Sequence, residues 1–129
     1  MDINYDTARP IYKQIMEYII RKLATGELEA GEKLPSQRDM AQKLEVNPNT
    51  VQRAYREMEN RRLIETRRGV GTFITESREK IEEVSQELSE KIISEFIEQM
   101  RLLNFTNQEI IELVKKELVQ GGVDDGKSK

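Results

Sequence analysis

Cysteine and histidine are both absent from the 129-residue sequence. Without cysteine, the chain has neither a disulfide framework nor a thiolate metal site. Without histidine, it lacks Ser-His and Cys-His nucleophiles, His-ligated zinc and the commonest general base. We therefore predict no catalytic residue, no metal site and no cofactor, which argues against an enzyme.

Long apolar runs are missing as well. No stretch approaches the ~18 consecutive apolar residues that a membrane-spanning helix needs. The first residues lack the basic start and apolar core of a signal peptide. These absences predict a cytoplasmic protein with no membrane partner. The length suits one domain, or one small domain with an extension.

The charge is divided unevenly along the chain. The net charge is −3, but residues 1–75 carry 13 Lys and Arg against 11 Asp and Glu, a balance of +2. Residues 76–129 carry 8 against 13, a balance of −5. Such an asymmetry is more informative than the total. It indicates a mildly basic working end and an acidic end that does not meet nucleic acid.

Proline, glycine and capping residues predict three helices in the first half of the chain. Pro10 opens a stripe with an apolar residue at every fourth position, and Gly26 follows its end. Ser36 can cap a second, short helix, and Asn47 followed by Pro48 marks the start of a third. Because only two residues separate the second helix from that cap, the two helices must cross steeply, as in a helix-turn-helix.

Two short strands are predicted after the third helix. Residues 64–67 and 72–74 have the composition of strands, and residues 68–71 contain two glycines that can adopt positive φ in a turn. Three helices followed by a β-hairpin form a winged helix-turn-helix, which we assign to residues 1–75.

The third helix begins with short polar side chains that suit base edges in a major groove. Arginines on the same face, in the preceding helix and in the hairpin can reach phosphates. The predicted DNA-binding residues are Arg38, Asn49, Thr50, Gln52, Arg53, Arg56, Arg67, Arg68, Gly69 and Gly71. A solvated helix face and a hairpin with a protective basic edge are the alternative. The tight turn combined with the hairpin favours DNA.

The pattern changes after the hairpin. Residues 77–103 predict one long amphipathic helix, and Thr106 with Glu109 forms a capping box that begins another. We assign residues 76–122 to a helical dimerisation region and predict that residues 123–129 are disordered. The predicted dimerisation residues are Ile81, Val84, Leu88, Ile92, Phe96, Met100, Ile110, Val114 and Leu118.

Four segments carry a resemblance to a known family. They are residues 10–15, 31–38, 49–55 and 69–73. In this order they resemble the GntR family of bacterial transcription regulators, over residues 10–74. Residues 46–51 and the two-helix tail resemble the YtrA-type subfamily in particular. The resemblance implies a homodimer bound to operator DNA, often with control of genes for membrane transporters.

By the same resemblance, the positions that contact operator DNA are Arg38, Asn49, Thr50, Gln52, Arg53 and the tip at Gly69. The sequence departs from the family pattern at two places. Many members carry Arg where Pro48 stands, so one strong contact is missing and Asn47 or Asn49 takes its place. Many carry Gly where Arg62 stands, and a left-handed conformation at Arg62 costs ~1 kcal/mol.

The sequence therefore predicts a mainly α-helical protein with a small β-hairpin, a winged helix-turn-helix followed by a two-helix dimerisation module. Its predicted function is that of a repressor that binds a near-palindromic operator as a homodimer. A protein-interaction adaptor is the alternative, and salt-dependent binding to duplex DNA separates the two. The sequence does not identify the operator or the target genes, and it leaves open a small-molecule effector, for which a dimer interface offers room.

Overall fold

The computed structural model describes residues 5–121, so the predicted disordered tail lies outside the described residues. The elements in chain order are α1 (Ile11–Thr25), β1 (Lys33–Leu34), α2 (Gln37–Leu44), α3 (Pro48–Asn60), β2 (Ile64–Arg67), β3 (Gly71–Ile74), α4 (Arg78–Leu102) and α5 (Asn107–Gln120). The chain divides into an N-terminal unit that ends at Leu88 and a C-terminal unit that begins at Ser89. Across residues 5–121, no helix is both long enough and apolar enough to cross a membrane.

The helix starts follow the predicted caps. Ser36 Oγ accepts a hydrogen bond from the Asp39 N–H at 3.1 Å, and Asn47 Oδ1 accepts one from the Asn49 N–H at 2.7 Å. Each bond satisfies one of the backbone donors that a helix start leaves without a partner. At α5, Thr106 and Glu109 form the full capping box. The predicted starts of α2, α3 and α5 are confirmed. In α1, by contrast, Pro10 precedes the helix instead of occupying its first position.

Three helices end at a residue other than glycine in the left-handed region. These residues are Glu45 (φ 58°), Arg62 (φ 64°) and Asn104 (φ 72°). At each end, the next N–H bonds to the carbonyl five residues back, as in a Schellman motif: Val46 to Ala41, Leu63 to Met58 and Phe105 to Met100. Arg62 does adopt the left-handed conformation for which the sequence suggested a cost of ~1 kcal/mol.

The sheet has three antiparallel strands in the order β1-β3-β2. The predicted hairpin is present as β2 and β3, with Ile64 opposite Ile74 and Arg67 opposite Gly71. The strand β1 is an addition that the sequence pattern did not predict. It has two residues, too few for an alternating pattern, and its pairing with β3 places Lys33 opposite Phe73.

The core of the N-terminal unit is formed by α1, α2, α3 and the sheet. Its most completely buried large side chains are Ile15, Ile19, Val51, Met58, Leu63 and Ile74. In α3, one face is buried, formed by Val51, Ala54, Tyr55 and Met58.

The first half of α4 belongs to this same core. Val84 is 2% exposed, and Ile81 and Leu88 pack against the core from the same helix face. Glu87, also on α4, forms an ion pair with Arg61 at the end of α3. The N-terminal unit therefore extends past residue 75, because the apolar side chains of α4 help to cover it.

The dimerisation prediction stays a prediction, but its physical reason changes at Ile81, Val84 and Leu88. Val84 is buried within the chain, and Ile81 and Leu88 are half-buried against the same core, so a second copy is not what covers Val84. The sequence pattern could not separate them from the later residues of the stripe, because all of them continue one apolar stripe with intervals of three or four residues.

The C-terminal unit buries little. Among its described residues, Ile110 is the one buried side chain, at 7% exposure. Ile92 and Phe96 on α4 are exposed, as are Val114 and Leu118 on α5, whereas Met100 is half-buried.

A segment before α1 is fixed by a buried amide. Gln14 is 6% exposed, and its Nε2 donates to the carbonyls of Asp6 at 2.7 Å and Arg9 at 3.1 Å. Its Oε1 accepts from the Asp6 N–H at 2.8 Å. The Tyr5 hydroxyl donates to the Leu44 carbonyl at 3.2 Å, which ties the segment to the end of α2.

Candidate nucleic-acid interface

The exposed face of α3 carries the predicted base-reading side chains. Asn49, Gln52, Arg53 and Arg56 are all exposed, on the side of the helix opposite its buried residues. Their spacing of three and four residues places them on neighbouring turns of one face. The face therefore offers amide groups near the helix start and guanidinium groups further along.

Two further predicted residues at the start of α3 are less available to DNA, because one is half-buried and the side chain of the other caps the helix. Thr50 is half-buried. Asn47 is exposed, but its side-chain oxygen accepts the hydrogen bond that caps the helix. Asn49 therefore has the more accessible amide oxygen of the two asparagines.

Arg53 stacks on an aromatic ring from another helix. Its Cζ lies 4.0 Å from the centroid of the Tyr12 ring. Tyr12 is in the first turn of α1, and it is half-buried against the core of the N-terminal unit. The sequence pattern does not predict this contact, because nothing local to either residue connects Tyr12 with Arg53.

A buried tyrosine joins α3 to the start of α2. The Tyr55 hydroxyl donates to the carbonyl of Pro35 at 2.7 Å. Burial raises the pKa of Tyr55 well above its usual range, so the hydroxyl remains a neutral donor. Pro35 directly precedes the cap at Ser36, and Arg38 is exposed in the first turn of α2. The bond thus fixes the position of this turn against α3.

The hairpin presents two arginines and a small tip. Arg67 and Arg68 are exposed, and the Arg67 Cζ lies 4.4 Å from the centroid of the Phe73 ring. Arg67 Nη2 also lies 3.7 Å from Glu65 Oε1. Gly69 adopts φ 78°, a conformation that glycine takes without strain.

Lys33 is a basic residue of this region that is not among the predicted DNA-binding residues. It lies on β1, and its side chain runs so close to Gly71 that a Cβ at Gly71 would be 2.6 Å from Lys33 Cε. Gly71 also has φ 143°, where other residues are strained. The alternation of exposed Lys33 with buried Leu34 was the available signal, but two residues are too few to read.

All the predicted DNA-binding residues therefore lie in the N-terminal unit. The structure brings the start of α2 against α3 through Tyr55, and α3 packs against β2. Within residues 5–121, no cluster of acidic side chains is arranged to hold a metal ion. The chemistry available at this surface is hydrogen bonding by amides and charge pairing by arginines.

Comparison with known proteins identifies close relatives. The family model "Bacterial regulatory proteins, gntR family" matches residues 11–74. The uncharacterized HTH-type transcriptional regulator YhcF of Bacillus subtilis (strain 168) is 43% identical over 122 residues, which cover 95% of this chain and 100% of that protein. The HTH-type transcriptional repressor YtrA of the same organism is 42% identical over 77 residues, 60% of this chain and 59% of that protein.

Solved structures show the same likeness. A GntR family transcriptional regulator from Listeria monocytogenes has 45% sequence identity and a TM-score of 0.77. The alignment covers 87% of this chain and 98% of that one. The likeness therefore includes both the winged helix and the helices that follow it.

Proposed function

The chain belongs to the GntR family of bacterial regulatory proteins, and from this premise we propose that it is a cytoplasmic repressor that binds a near-palindromic operator as a homodimer. The family consists of DNA-binding transcription regulators, so an enzymatic role is set aside. The observation that carries the proposal is the exposed polar face at the start of α3, in a helix whose opposite face is fully buried.

Base reading is assigned to Asn49 and Gln52. Both are exposed near the start of α3, and carboxamide side chains pair with adenine through two hydrogen bonds in a major groove. Because α3 is held rigidly by its buried face, these amides keep a fixed spacing. A fixed spacing is what sequence discrimination requires.

Phosphate contacts are assigned to arginines around α3. Arg38 precedes it in α2, Arg53 and Arg56 follow the amides on the same face, and Arg68 stands on the hairpin. Such contacts fix the protein on the duplex but carry no sequence information. Lys33, beside Gly71, adds a further cation at the hairpin.

The homodimer is assigned to the C-terminal unit. Its exposed apolar side chains include Ile92, Phe96, Val114 and Leu118, and a second copy is the partner that every such chain has available. Two-fold symmetry would present two α3 helices to two half-sites, hence the near-palindrome. The likeness to a repressor named YtrA and the subfamily resemblance support repression, with transporter genes as the proposed targets.

The test is a pair of binding titrations. An operator is first selected with the wild-type chain from a random duplex pool, and affinities are then measured for that operator and for random duplex. We expect Asn49→Ala and Gln52→Ala to lose ~1–3 kcal/mol of discrimination at one base position per half-site. Arg38→Ala and Arg68→Ala should each weaken binding to both duplexes. Each should also reduce the slope of log affinity against log salt concentration by ~1.

Asn60→Ala is the matched control. Asn60 is also an exposed asparagine of α3, but it stands at the opposite end of the helix. Its replacement should leave both affinities unchanged. If Asn49→Ala loses as much affinity for random duplex as for the operator, Asn49 does not read bases. Wild-type binding that depends on neither salt nor sequence would favour the adaptor alternative instead.

A further inference from the structure

Tyr12 has a direct connection to the DNA-facing side of α3, although it lies on α1. We infer that Tyr12 is a positioning residue, which holds the Arg53 guanidinium in the orientation needed for DNA. This inference rests on the proposed function. It extends the interface to a helix that otherwise only supports α3 through its apolar face.

The geometry of the pair is that of a cation–π contact. The Arg53 Cζ lies 4.0 Å from the centroid of the Tyr12 ring, well inside the ~6 Å range of the attraction. The ring is itself held in place, because Tyr12 is half-buried against the core of the N-terminal unit. A fixed ring under an exposed arginine restricts where that arginine can point.

A stacked guanidinium remains able to bind an anion. When the flat face of a guanidinium lies on a ring, its N–H groups still point outward along its edge. An arginine that is ordered before binding loses less rotamer freedom when it meets a phosphate. Tyr12 therefore favours binding without touching DNA itself.

The other two stacked cations of the described chain show why Arg53 is the strongest case. Arg67 stacks on Phe73 but also lies 3.7 Å from the Glu65 carboxylate, which competes for it. Lys22 Nζ lies 5.1 Å from the centroid of the Tyr18 ring, and it also forms an ion pair with Glu27.

The Tyr18 pair supplies a matched control. Tyr18 is on the same helix as Tyr12 and is also half-buried against the core. It stacks on a lysine of α1 instead of an arginine of α3. Its replacement removes a ring from α1 without disturbing Arg53.

The experiment is a double-mutant cycle in the full chain. Tyr12→Leu and Tyr12→Phe are each made alone and together with Arg53→Ala, and operator affinity is titrated at several salt concentrations. We expect Tyr12→Leu to weaken operator binding roughly threefold to tenfold in the wild-type background. In the Arg53→Ala background the same change should have almost no effect. Tyr12→Phe keeps the ring and should keep the affinity, and Tyr18→Leu should leave it unchanged.

Each contrary outcome overturns the inference in a distinct way. An equal loss from Tyr12→Leu in both backgrounds would mean that Tyr12 only supports the fold. A loss from Tyr12→Phe as large as that from Tyr12→Leu would assign the effect to the hydroxyl. If Arg53→Ala binds operator normally while Asn49→Ala loses discrimination, the proposed function stands and the role of Tyr12 fails. If no variant affects binding and the wild-type chain shows no sequence preference, both fail.

Discussion

The helices α3 and α5 are alike in length and in the way they begin, but they differ in burial. Each starts with a side-chain cap, Asn47 for α3 and Thr106 for α5. The four apolar residues of the α3 face are at most 2% exposed. In α5, Ile110 is buried, but Val114 is 37% and Leu118 64% exposed. An apolar face thus indicates that a helix will be covered, but not what will cover it.

The same contrast separates the two units. The N-terminal unit closes its core with its own residues, including the first half of α4. The C-terminal unit exposes Ile92, Ile93, Phe96, Leu102, Leu103, Ile111, Leu113, Val114, Leu118 and Val119. Single exposed apolar residues need no explanation, but a dense set of them marks an interaction surface. The units therefore differ in how their apolar residues are covered: the first buries them within a single chain, whereas the second leaves exposed the residues that the proposed homodimer would cover.

The largest effect is expected from placing charged side chains among the exposed apolar residues of the C-terminal unit. We expect Val114→Asp combined with Leu118→Asp to convert the proposed homodimer to a monomer, because each subunit would bury two carboxylates at the interface. Operator affinity should then fall by roughly 10²–10⁴-fold, since two half-sites no longer bind as one unit. Sedimentation and a binding titration measure the two effects.

The control for this change is Lys116→Asp, which places the same side chain on another face of α5. It should remain dimeric and bind operator normally. Full operator affinity in a monomeric double variant would show that the C-terminal unit serves a purpose other than dimerisation.

A second prediction compares two positions on α4 that lie in different units. Val84→Ala should lower the free energy of unfolding by about 2 kcal/mol, because it removes two methyl groups from a filled core. Ile93→Ala, at a position 56% exposed, should change it by less than ~0.5 kcal/mol. Denaturant unfolding of both variants measures the difference. A comparable loss at Ile93 would contradict the distinction between the two halves of the helix.

Local features of the fold were predictable from the sequence. The caps at Ser36, Asn47 and Thr106 act on donors two or three residues away, so their signal lies within a few letters of sequence. The hairpin likewise follows from two strands and a glycine turn.

Long-range features were not predictable. The strand β1 exists only because β3 lies beside it, and two residues carry no pattern of their own. The cover that α4 gives to the core follows from packing, since Val84 and Ile92 belong to the same predicted apolar stripe but only Val84 is buried. The chain direction after α3 depends on Arg62, which the sequence did indicate through its departure from the family pattern.

The candidate site also combines local features, which the sequence predicts, with long-range contacts, which it does not. The exposed residues of α3 follow from its helical period and its cap. The ring beneath Arg53 and the lysine beside Gly71 come from distant segments, so only the folded chain brings them together. Residue types and spacing thus predict which side chains face outward, whereas their neighbours depend on tertiary contacts.

The smallest predicted effect sharpens the comparison at the helix ends. Arg62→Gly should raise the free energy of unfolding by up to ~1 kcal/mol, because it removes the steric cost of a left-handed residue with a Cβ. Asn104→Gly in the C-terminal unit should change it little, since asparagine tolerates this region. Thermal unfolding of the two variants gives the result. A loss of stability at Arg62→Gly would show that its side chain contributes more than its backbone costs.

The buried amide of Gln14 has a consequence for fraying at the start of α1. This helix has no side-chain cap, and helix starts without one open readily. Gln14, from the second turn, holds the preceding segment in place through the backbone of Asp6 and Arg9. These hydrogen bonds thereby hold the start of the helix and the preceding segment together. The first turn, which contains Tyr12, is kept in register by hydrogen bonds that carry no charge and do not titrate.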